Sequence, residues 1–337
     1  MTHRREFLKH MALAGAGVGL LSSDVQAAAM AFAAPIKVGV IGLDTEHSVA
    51  FTRTLNDPQA PADVAGFRVV AAFPYGSRDI PSSVAMIPGF TEEMKKLGVE
   101  IVSSVDELIR RSDVILLETN DGRLHLQQAL PVLKSRKRVF IDKPIAASLA
   151  DAAAIFDAAK KYGTPLFSSS SLRFMDSAQS VAAGKIGKVL GADAYGPASM
   201  EKTHPDLFWY GIHAIEALYT VMGTGCKTVT RFYTEGTDVV VGIWADGRIG
   251  TFRGTRTGTY DFGGTVFGEK GVASIGPWQG YRPLVVKIAE FFRTGQAPVT
   301  AEETLEIFAF MEAAQQSRDQ GGIPVALESM LQKARAK

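Results

Sequence analysis

The chain is 337 residues long and carries 36 basic and 35 acidic side chains, which gives a formal net charge of +1. A balanced charge, with no basic stripe interleaved with aromatic residues, argues against nucleic acid as a partner. The single cysteine, Cys226, excludes an internal disulfide and a cysteine-based metal cluster, so we expect a small buried residue there. The length suffices for two domains, each with its own core.

Residues 1–34 have the features of an export signal. Arg4 and Arg5 precede an apolar run from Met11 to Leu21, and small residues crowd the segment from Ala27 to Ala34. Paired arginines before a weakly hydrophobic run are typical of a twin-arginine signal, with an ordinary secretory signal as the alternative. Because the apolar run is too short to span a bilayer, we expect a periplasmic or otherwise exported protein without a membrane anchor in its mature form.

Residues 35–171 alternate between strand-like and helix-like segments. Ile36–Ile41 is a short apolar run rich in β-branched residues, as expected of a strand that is buried on both faces. Similar runs follow at 68–73, 99–103, 113–117, 138–141 and 165–169, with helical spacing at 105–110, 124–133 and 149–162. The alternation predicts an α/β fold with a doubly wound, Rossmann-like parallel sheet as the nucleotide-binding domain.

Residues 172–337 change character, because strand-like runs now follow one another with turns between them. The runs lie at 189–195, 228–234, 239–245, 248–254, 260–267 and 272–275. Asp246-Gly247 is a strong hairpin signal and Glu269-Lys270-Gly271 a weaker one. With helices expected at 209–222, 283–294 and 301–320, this half is predicted to be an α+β domain with a mostly antiparallel open sheet.

The turn after the first strand departs from a dinucleotide-binding fingerprint. In G-x-G-x-x-G the second glycine admits the pyrophosphate and the third lets the helix pack closely. Gly42 keeps the first place, but Asp44 and His47 take the other two. A carboxylate about 4 Å from a phosphate oxygen costs about 4 kcal/mol, and a helix N-terminus returns only about 0.3–1 kcal/mol. We therefore expect weak pyrophosphate binding unless the loop moves aside, a cation intervenes or the nucleotide is absent.

The same loop also has a structural interpretation. Asp44 or Thr45 is a good N-cap for the helix that follows, and Glu46 is favourably placed in its first turn. A capping loop in this position still faces the crevice, so the structural role does not exclude a second one.

Five short motifs stand beside the predicted strands and helices. They are Gly39-Val40-Ile41-Gly42, Glu118-Thr119-Asn120-Asp121-Gly122-Arg123-Leu124-His125, Asp142-Lys143-Pro144, Gly211-Ile212-His213 and Gly268-Glu269-Lys270-Gly271. Pro144 restricts Lys143 to extended backbone, at the carboxyl edge where open parallel sheets bind ligands. Together the motifs resemble the glucose-fructose oxidoreductase, inositol dehydrogenase and rhizopine-catabolism family, Gfo/Idh/MocA.

The resemblance implies a dehydrogenase that moves a hydride between NAD or NADP and a sugar, polyol or related hydroxyl compound. Lys143 would orient the reacting oxygen, and His213 would be the acid or base. Residues expected at the cofactor are Gly39, Gly42, Asp44, Thr45, His47, Ser77, Arg78, Thr119, Asn120, His125 and Asp142; those expected at the substrate are Arg173, His204, Trp209 and Glu216. The family also implies a homo-oligomer, and an exported member is expected to keep its nucleotide tightly bound.

Two departures from the family pattern are informative. Trp209 stands where the family usually has an aspartate, one helical turn before His213, and an indole there offers a stacking surface for a sugar ring. The acidic residue that the family uses to hold the adenosine ribose is missing from residues 73–78, directly after the second strand. Ser77 and Arg78 stand in that neighbourhood, and they either receive the 2′-phosphate of NADP or form a polar turn.

Two other classes of function stay open. A sugar lyase, hydrolase or epimerase would keep the fold after losing the nucleotide, with Asp44, Glu46 and His47 as catalytic or metal-binding groups. A non-enzymatic carbohydrate-binding protein would use an aromatic platform of Phe208, Trp209 and Tyr210.

A metal is the less favoured interpretation of the polar residues near the cleft. His213 and Glu216, three apart on one helix, suit a divalent ion together with His204 or Asp206. The set matches no specific metal motif, so we expect hydrogen bonding and no metal. Glu118, Asp121 and His125 are further polar candidates near the cleft.

Overall fold

The structure, a computed structural model, describes residues 34–335. The predicted export segment lies almost entirely outside the described residues. From Ile36 onward the chain forms one compact unit that contains two sheets. Within residues 34–335, every helix is either too short or too polar to cross a bilayer.

Six parallel strands make up the first sheet. They are Ile36–Ile41 (β1), Phe67–Phe73 (β2), Glu100–Ile101 (β3), Val114–Leu117 (β4), Val139–Ile141 (β5) and Leu166–Phe167 (β6). The linking helices are Glu46–Asn56 (α1), Pro81–Lys96 (α2), Val105–Arg111 (α3), Gly122–Lys134 (α4) and Leu149–Tyr162 (α5). The spatial order is β3-β2-β1-β4-β5-β6, so the winding reverses between β1 and β4. The predicted doubly wound parallel sheet is confirmed.

Alternate residues of the central strands are buried in opposite layers. On β4, Ile115 and Leu117 pack in one apolar cluster, and Val114 and Leu116 pack in the other. A strand with a two-residue period presents apolar side chains to both layers only when both faces are covered. The helix at Arg282–Thr294, near the end of the chain, packs in the second cluster and so covers the first sheet.

Seven strands make up the second sheet. They are Val189–Pro197 (β7), Cys226–Thr234 (β8), Thr237–Trp244 (β9), Ile249–Thr255 (β10), Gly263–Gly268 (β11), Gly271–Ile275 (β12) and Val325–Ala326 (β13). The helices of this half are Asp176–Ala182 (α6), Asp206–Trp209 (α7), Ile212–Met222 (α8), Arg282–Thr294 (α9), Ala301–Asp319 (α10) and Leu327–Arg335 (α11). The order is β12-β11-β7-β10-β9-β8-β13, and all neighbours are antiparallel except β7 and β10. The predicted mostly antiparallel sheet is confirmed.

The predicted helix at 209–222 is interrupted. Tyr210 leaves the helical range, with φ at −131°, so α7 ends at Trp209 and α8 begins at Ile212. The break places His213 in the first turn of α8 instead of the middle of a longer helix. Cys226 is free and buried, as expected.

The outer face of the second sheet carries exposed apolar side chains. In β10 the inward residues Gly250, Phe252 and Gly254 are buried, whereas the outward ones alternate with them. The exposed outward residues on the neighbouring strands and β10 are Tyr195, Phe232, Ile243, Ile249, Phe267 and Val272. Such a face suits contact with another copy of the chain, and the homo-oligomer stays a prediction.

Candidate active site

A cavity of about 360 Å³ opens at the carboxyl edge of the first sheet. The loops after β1, β4 and β5 place Thr45, Asn120 and Lys143 on its wall, and α8 contributes His213 from the other half of the chain. Open parallel sheets bind ligands at this edge, where the winding reverses. The volume lies at the small end of the range for ligand pockets, which suits a single small molecule.

Lys143 and His213, the two predicted catalytic residues, line this same cavity. Ser170 Oγ lies 2.7 Å from His213 Nδ1. The rings of Tyr210 and Phe262 lie against the imidazole edge to face, with centroids 5.0 and 5.8 Å away. These contacts fix the ring and leave Nε2 without a hydrogen-bond partner among residues 34–335, so Nε2 is the nitrogen available to a ligand.

His213 is held in its neutral form. Burial lowers its pKa well below the ordinary value of 6.5, and the nearby Lys143 ammonium and His47 lower the pKa further, against the opposite effect of Asp142. A histidine with a lowered pKa is unprotonated at neutral pH. It can therefore accept a proton from a bound hydroxyl group.

The loop that supports His213 is held by a buried carboxylate. Ser170 N donates to Glu216 Oε1 and Ser169 Oγ donates to Glu216 Oε2, each at 2.9 Å. Arg173 Nε lies 3.3 Å from the same carboxylate, and the Arg173 guanidinium also pairs with Glu303. Sequence reasoning missed Ser170, although a run of four serines at the end of β6 was a visible signal.

The structure contradicts the predicted contact of Arg173 and Glu216 with a substrate. Both side chains are buried behind the cavity wall and neutralise each other there, so they position the serine loop and do not face a substrate. His204 also lies outside the cavity lining, because its Nε2 is 3.3 Å from Asp121 Oδ1 in the interior.

Asp44, in the second place of the fingerprint, is buried beneath the loops. Its Oδ2 accepts from Ser77 N and its Oδ1 accepts from Asn120 N, both at 3.0 Å. The backbone at Gly76 packs directly on it, because a Cβ there would lie 2.4 Å from Asp44 Cγ. Burial raises the pKa of Asp44, and the two backbone donors oppose that rise. The carboxylate therefore joins the loop after β1 to the loops after β2 and β4.

Side chains join the loops after β2 and β4 as well. Ser77 Oγ lies 2.9 Å from an oxygen of Asp121 and from one of Asp79, and Arg123 pairs with both carboxylates. Arg78 is exposed, with its guanidinium carbon 5.1 Å from the Tyr75 ring centroid. Two carboxylates beside Ser77 oppose a 2′-phosphate, so the structure favours a polar turn over an NADP site.

Several other residues expected at the cofactor are packing residues. Gly39 is close-packed, since a Cβ there would lie 2.4 Å from Ser112 Oγ. Gly42 has φ of +91° and lies against the backbone of Thr119, which is itself buried. His125 is buried between the carbonyl oxygens of Thr119 and Ile145. Of the residues expected at the cofactor, only Thr45, His47 and Asn120 line the cavity, and Thr45 caps α1.

Five aromatic residues that line the cavity together with Lys143 form an aromatic wall. Its members all come from residues 172–337: Trp209, Tyr210, Phe262, Trp278 and Tyr281. Phe208, expected in such a platform, is instead fully buried against Phe308. Aromatic faces with polar edges stack on sugar rings. Trp209 lines the cavity, and its contact with a substrate stays a prediction.

A second set of polar groups lies next to Lys143. His47 Nδ1 is 2.8 Å from Asp142 Oδ2, and Glu118 lies beside them. The metal set considered from the sequence is not assembled, because Asp206 pairs with Arg231 and Arg318 in the second half. Glu46, at the mouth of the cavity, accepts a hydrogen bond from the Tyr281 hydroxyl.

Comparison with known proteins confirms the predicted resemblance. Residues 36–170 match the family model described as an oxidoreductase family with an NAD-binding Rossmann fold, Gfo/Idh/MocA. An inositol 2-dehydrogenase from Salmonella paratyphi B is 24% identical over 272 residues, which is 71% of this chain and 74% of that protein. An uncharacterized oxidoreductase from Streptococcus pneumoniae is 25% identical over 153 residues, or 41% of its length.

Solved structures share the fold of this chain. A probable dehydrogenase from Thermotoga maritima superposes with a TM-score of 0.70 and 21% identity, covering 88% of this chain and 100% of that one. A scyllo-inositol dehydrogenase from Lactobacillus casei, solved with NAD(H) and scyllo-inositol, gives a TM-score of 0.69 and 18% identity, covering 87% and 99%. At these identities the likeness establishes the architecture of both sheets.

The crevice suits one end of a nicotinamide dinucleotide better than the other. At the open end, the Asn120 amide, the Thr45 hydroxyl and the Lys143 ammonium provide the donors and acceptors that a nicotinamide and its ribose require. At the other end, the loops that would enclose the adenosine are joined directly through Asp44, Ser77 and Asp121. The nicotinamide end fits, and a complete dinucleotide needs these loops to separate.

Replacing Asp44 tests whether its carboxylate keeps the loops together. We expect Asp44→Gly to lower the free energy of unfolding, because each buried backbone N–H left without an acceptor costs about 1–3 kcal/mol. We also expect NAD(H) to bind more than about tenfold more tightly, since both the bridge and a buried negative charge are removed. Denaturant unfolding and NADH fluorescence titration measure the two effects.

The matched control is Asp57→Gly, in which an exposed carboxylate also accepts from one backbone N–H. It should change neither quantity appreciably. A less stable Asp44→Gly protein with unaltered NADH affinity would show that the bridge does not limit nucleotide entry.

Proposed function

We propose that this Gfo/Idh/MocA member is an NAD-linked oxidoreductase for a small polyol or monosaccharide. The observation that carries the proposal is that Lys143 and His213, supplied by the two halves of the chain, line one small cavity at the switch point of the parallel sheet. The inositol dehydrogenases among its relatives support a polyhydroxylated substrate, as does the aromatic wall.

His213 acts as the base in this proposal. With Nδ1–H donating to Ser170 Oγ, its Nε2 accepts the proton of the substrate hydroxyl. The Lys143 ammonium stabilises negative charge on the same oxygen and fixes its position. Asn120, Thr45 and Lys143 would hold the nicotinamide ring and ribose of a bound NAD, which would supply the hydride acceptor for the substrate carbon.

One observation favours a second candidate, a sugar epimerase or lyase that works without a free nucleotide. The hydrogen bonds from Ser77 N and Asn120 N to Asp44 join the loops where adenosine would lie. In that case His213 takes a proton from carbon next to a carbonyl group, and Lys143 polarises the carbonyl oxygen. Mass spectrometry of the native protein separates the candidates, because a stoichiometric nucleotide supports the oxidoreductase only.

We expect His213→Asn to lower kcat by about 10²- to 10⁴-fold, the usual contribution of a positioned acid or base, while substrate affinity changes little. Turnover is measured on a panel of inositols and monosaccharides, by NADH absorbance and, without nucleotide, by NMR of the products. Calorimetry gives the affinity. Tyr210→Phe is the control, since it keeps an aromatic ring in the cavity wall. An equal loss of turnover and affinity in His213→Asn would indicate a packing role.

The pH dependence follows from the lowered pKa of His213. Because the base form is lost only below that lowered pKa, we expect the acid limb of kcat/KM to lie below the ordinary histidine pKa of 6.5. The charged and titratable groups around the ring are Lys143, His47 and Asp142. Lys143→Met removes a positive charge, so it should raise the pKa of His213, which NMR titration of labelled histidine measures. An unmoved or lower pKa in Lys143→Met would contradict the proposed proximity.

We also propose that the protein is exported through its twin-arginine segment. The support is the sequence at Arg4 and Arg5 together with the apolar run that follows. Replacing both arginines by lysine should retain the protein in the cytoplasm, as cell fractionation would show. Unchanged export would point to an ordinary secretory signal.

A further inference from the structure

Three buried side chains converge beside Lys143, and one of them, His47, lines the cavity. They are His47 in the first turn of α1, Glu118 directly after β4, and Asp142 directly after β5. One ligand atom from each lies within 4.8 Å of the other two. The proposed reaction uses none of these three groups.

The carboxylates of this cluster lack partners. Glu118 and Asp142 are both fully buried, yet both oxygens of Glu118 and Oδ1 of Asp142 have no hydrogen-bond donor among the described residues. Buried carboxylate oxygens are normally hydrogen-bonded or coordinate a cation, because an uncompensated buried charge is very costly. Three such atoms within one cluster therefore indicate a missing positive group.

We propose that His47, Glu118 and Asp142 form a binding site for a divalent transition-metal ion such as Mn²⁺ or Zn²⁺. One imidazole with two carboxylates is a ligand set that these ions accept. His47 Nδ1 and Asp142 Oδ2 share a hydrogen bond of 2.8 Å. Two ligand atoms about 2.1 Å from one ion and at right angles to each other lie about 3 Å apart, so an ion could replace the proton between these two atoms with little movement. Three protein ligands leave at least one position for water or a substrate oxygen.

A proton is the competing occupant of the cluster. Burial raises the pKa of Glu118 well above its ordinary value, and the negative charge of Asp142 raises the pKa further. A single proton shared between Glu118 and Asp142 would neutralise one of the two carboxylates and leave the other charged. A divalent cation that contacts both carboxylates would compensate both buried charges. The two occupants are distinguished by direct measurement of metal binding.

The experiment uses the untagged full chain, stripped with chelator and titrated with Mn²⁺. Electron paramagnetic resonance of free Mn²⁺ should show about one bound ion per chain, and spin-echo modulation should show a directly coordinated imidazole nitrogen. Glu118→Gln keeps the shape and removes one ligand oxygen. It should weaken Mn²⁺ binding by at least about 10- to 100-fold, the range that loss of even an outer-shell group gives.

Two further variants distinguish the loss of a metal ligand from a defect in folding. His47→Gln, at the cavity wall, should abolish the nitrogen coupling. Glu306→Gln is the matched control, because Glu306 is a partly buried carboxylate that accepts from Gly225 N and Cys226 N in the second half; its Mn²⁺ affinity should equal that of the wild type.

The proposal is overturned if the wild type binds neither Mn²⁺ nor Zn²⁺ at millimolar concentration, which would leave the proton as the occupant. It is equally overturned if the wild type binds Mn²⁺ but Glu118→Gln and His47→Gln bind it as tightly. Since the readouts are binding and spectroscopy, they do not depend on whether His213 catalyses the reaction proposed above.

Discussion

The Glu216 carboxylate is the interaction on which the geometry of the cavity depends. It lies on α8, yet it accepts from Ser169 and Ser170 in the loop after β6, and its charge is balanced by Arg173. The carboxylate therefore joins the first sheet to the helix of the second half. Removing one partner of a buried ion pair costs about 3–5 kcal/mol because it leaves the other charge uncompensated. The same loop brings Ser170 to His213, one helical turn before Glu216, so the ring that faces the cavity is oriented by the link between the halves.

The loop after β1 shows a conflict between family and local sequence. The strand order and Gly42 retain the dinucleotide-binding architecture, but the second glycine has become a carboxylate. Electrostatics alone predicted repulsion between Asp44 and a phosphate. In the structure the carboxylate turns into the protein and accepts from two backbone amides, which satisfies it without a phosphate nearby. Nucleotide binding would thus cost free energy in two ways, because the joined loops must separate and because the negative charges repel each other.

The sequence predicted the elements whose signals are local. Buried strands such as Val114–Leu117 follow from an uninterrupted apolar run, and Lys143 and His213 follow from short motifs beside predicted elements. The failures involve partners far apart in the chain. Arg173 is polar and near the cleft, but Glu303 and Glu216, which hold it inside, come from two later helices. Trp278 and Tyr281 reach the cavity only because α9 returns to the first sheet, and no pattern within one segment encodes that return.

The spacing of residues in the sequence also could not predict the direction in which a polar side chain points. His204, His125 and Asp44 each occur near the predicted cleft, and each is buried on internal partners. Composition and motif assign such a residue to a loop, whereas the side of the loop that it faces depends on the donors and acceptors that the neighbouring strands present. Glu118 illustrates the converse: its strand is fully predictable, but its unpartnered oxygens become visible only when Asp142 and His47 are seen beside it.

The charges of the crevice connect the proposed metal site with the altered fingerprint. Near the N-terminus of α1 lie four carboxylates, Asp44, Glu46, Glu118 and Asp142, where dinucleotide-binding folds place a pyrophosphate. Asp44 is satisfied by backbone donors and Glu46 by the Tyr281 hydroxyl, so the uncompensated charge is concentrated on Glu118 and Asp142. The Lys143 ammonium supplies one positive charge for two negative ones. A divalent ion among His47, Glu118 and Asp142 would change the net charge of this cluster and Lys143 from negative to positive. The floor of the crevice would then attract a deprotonated hydroxyl group or a phosphate, both of which the bare carboxylates repel.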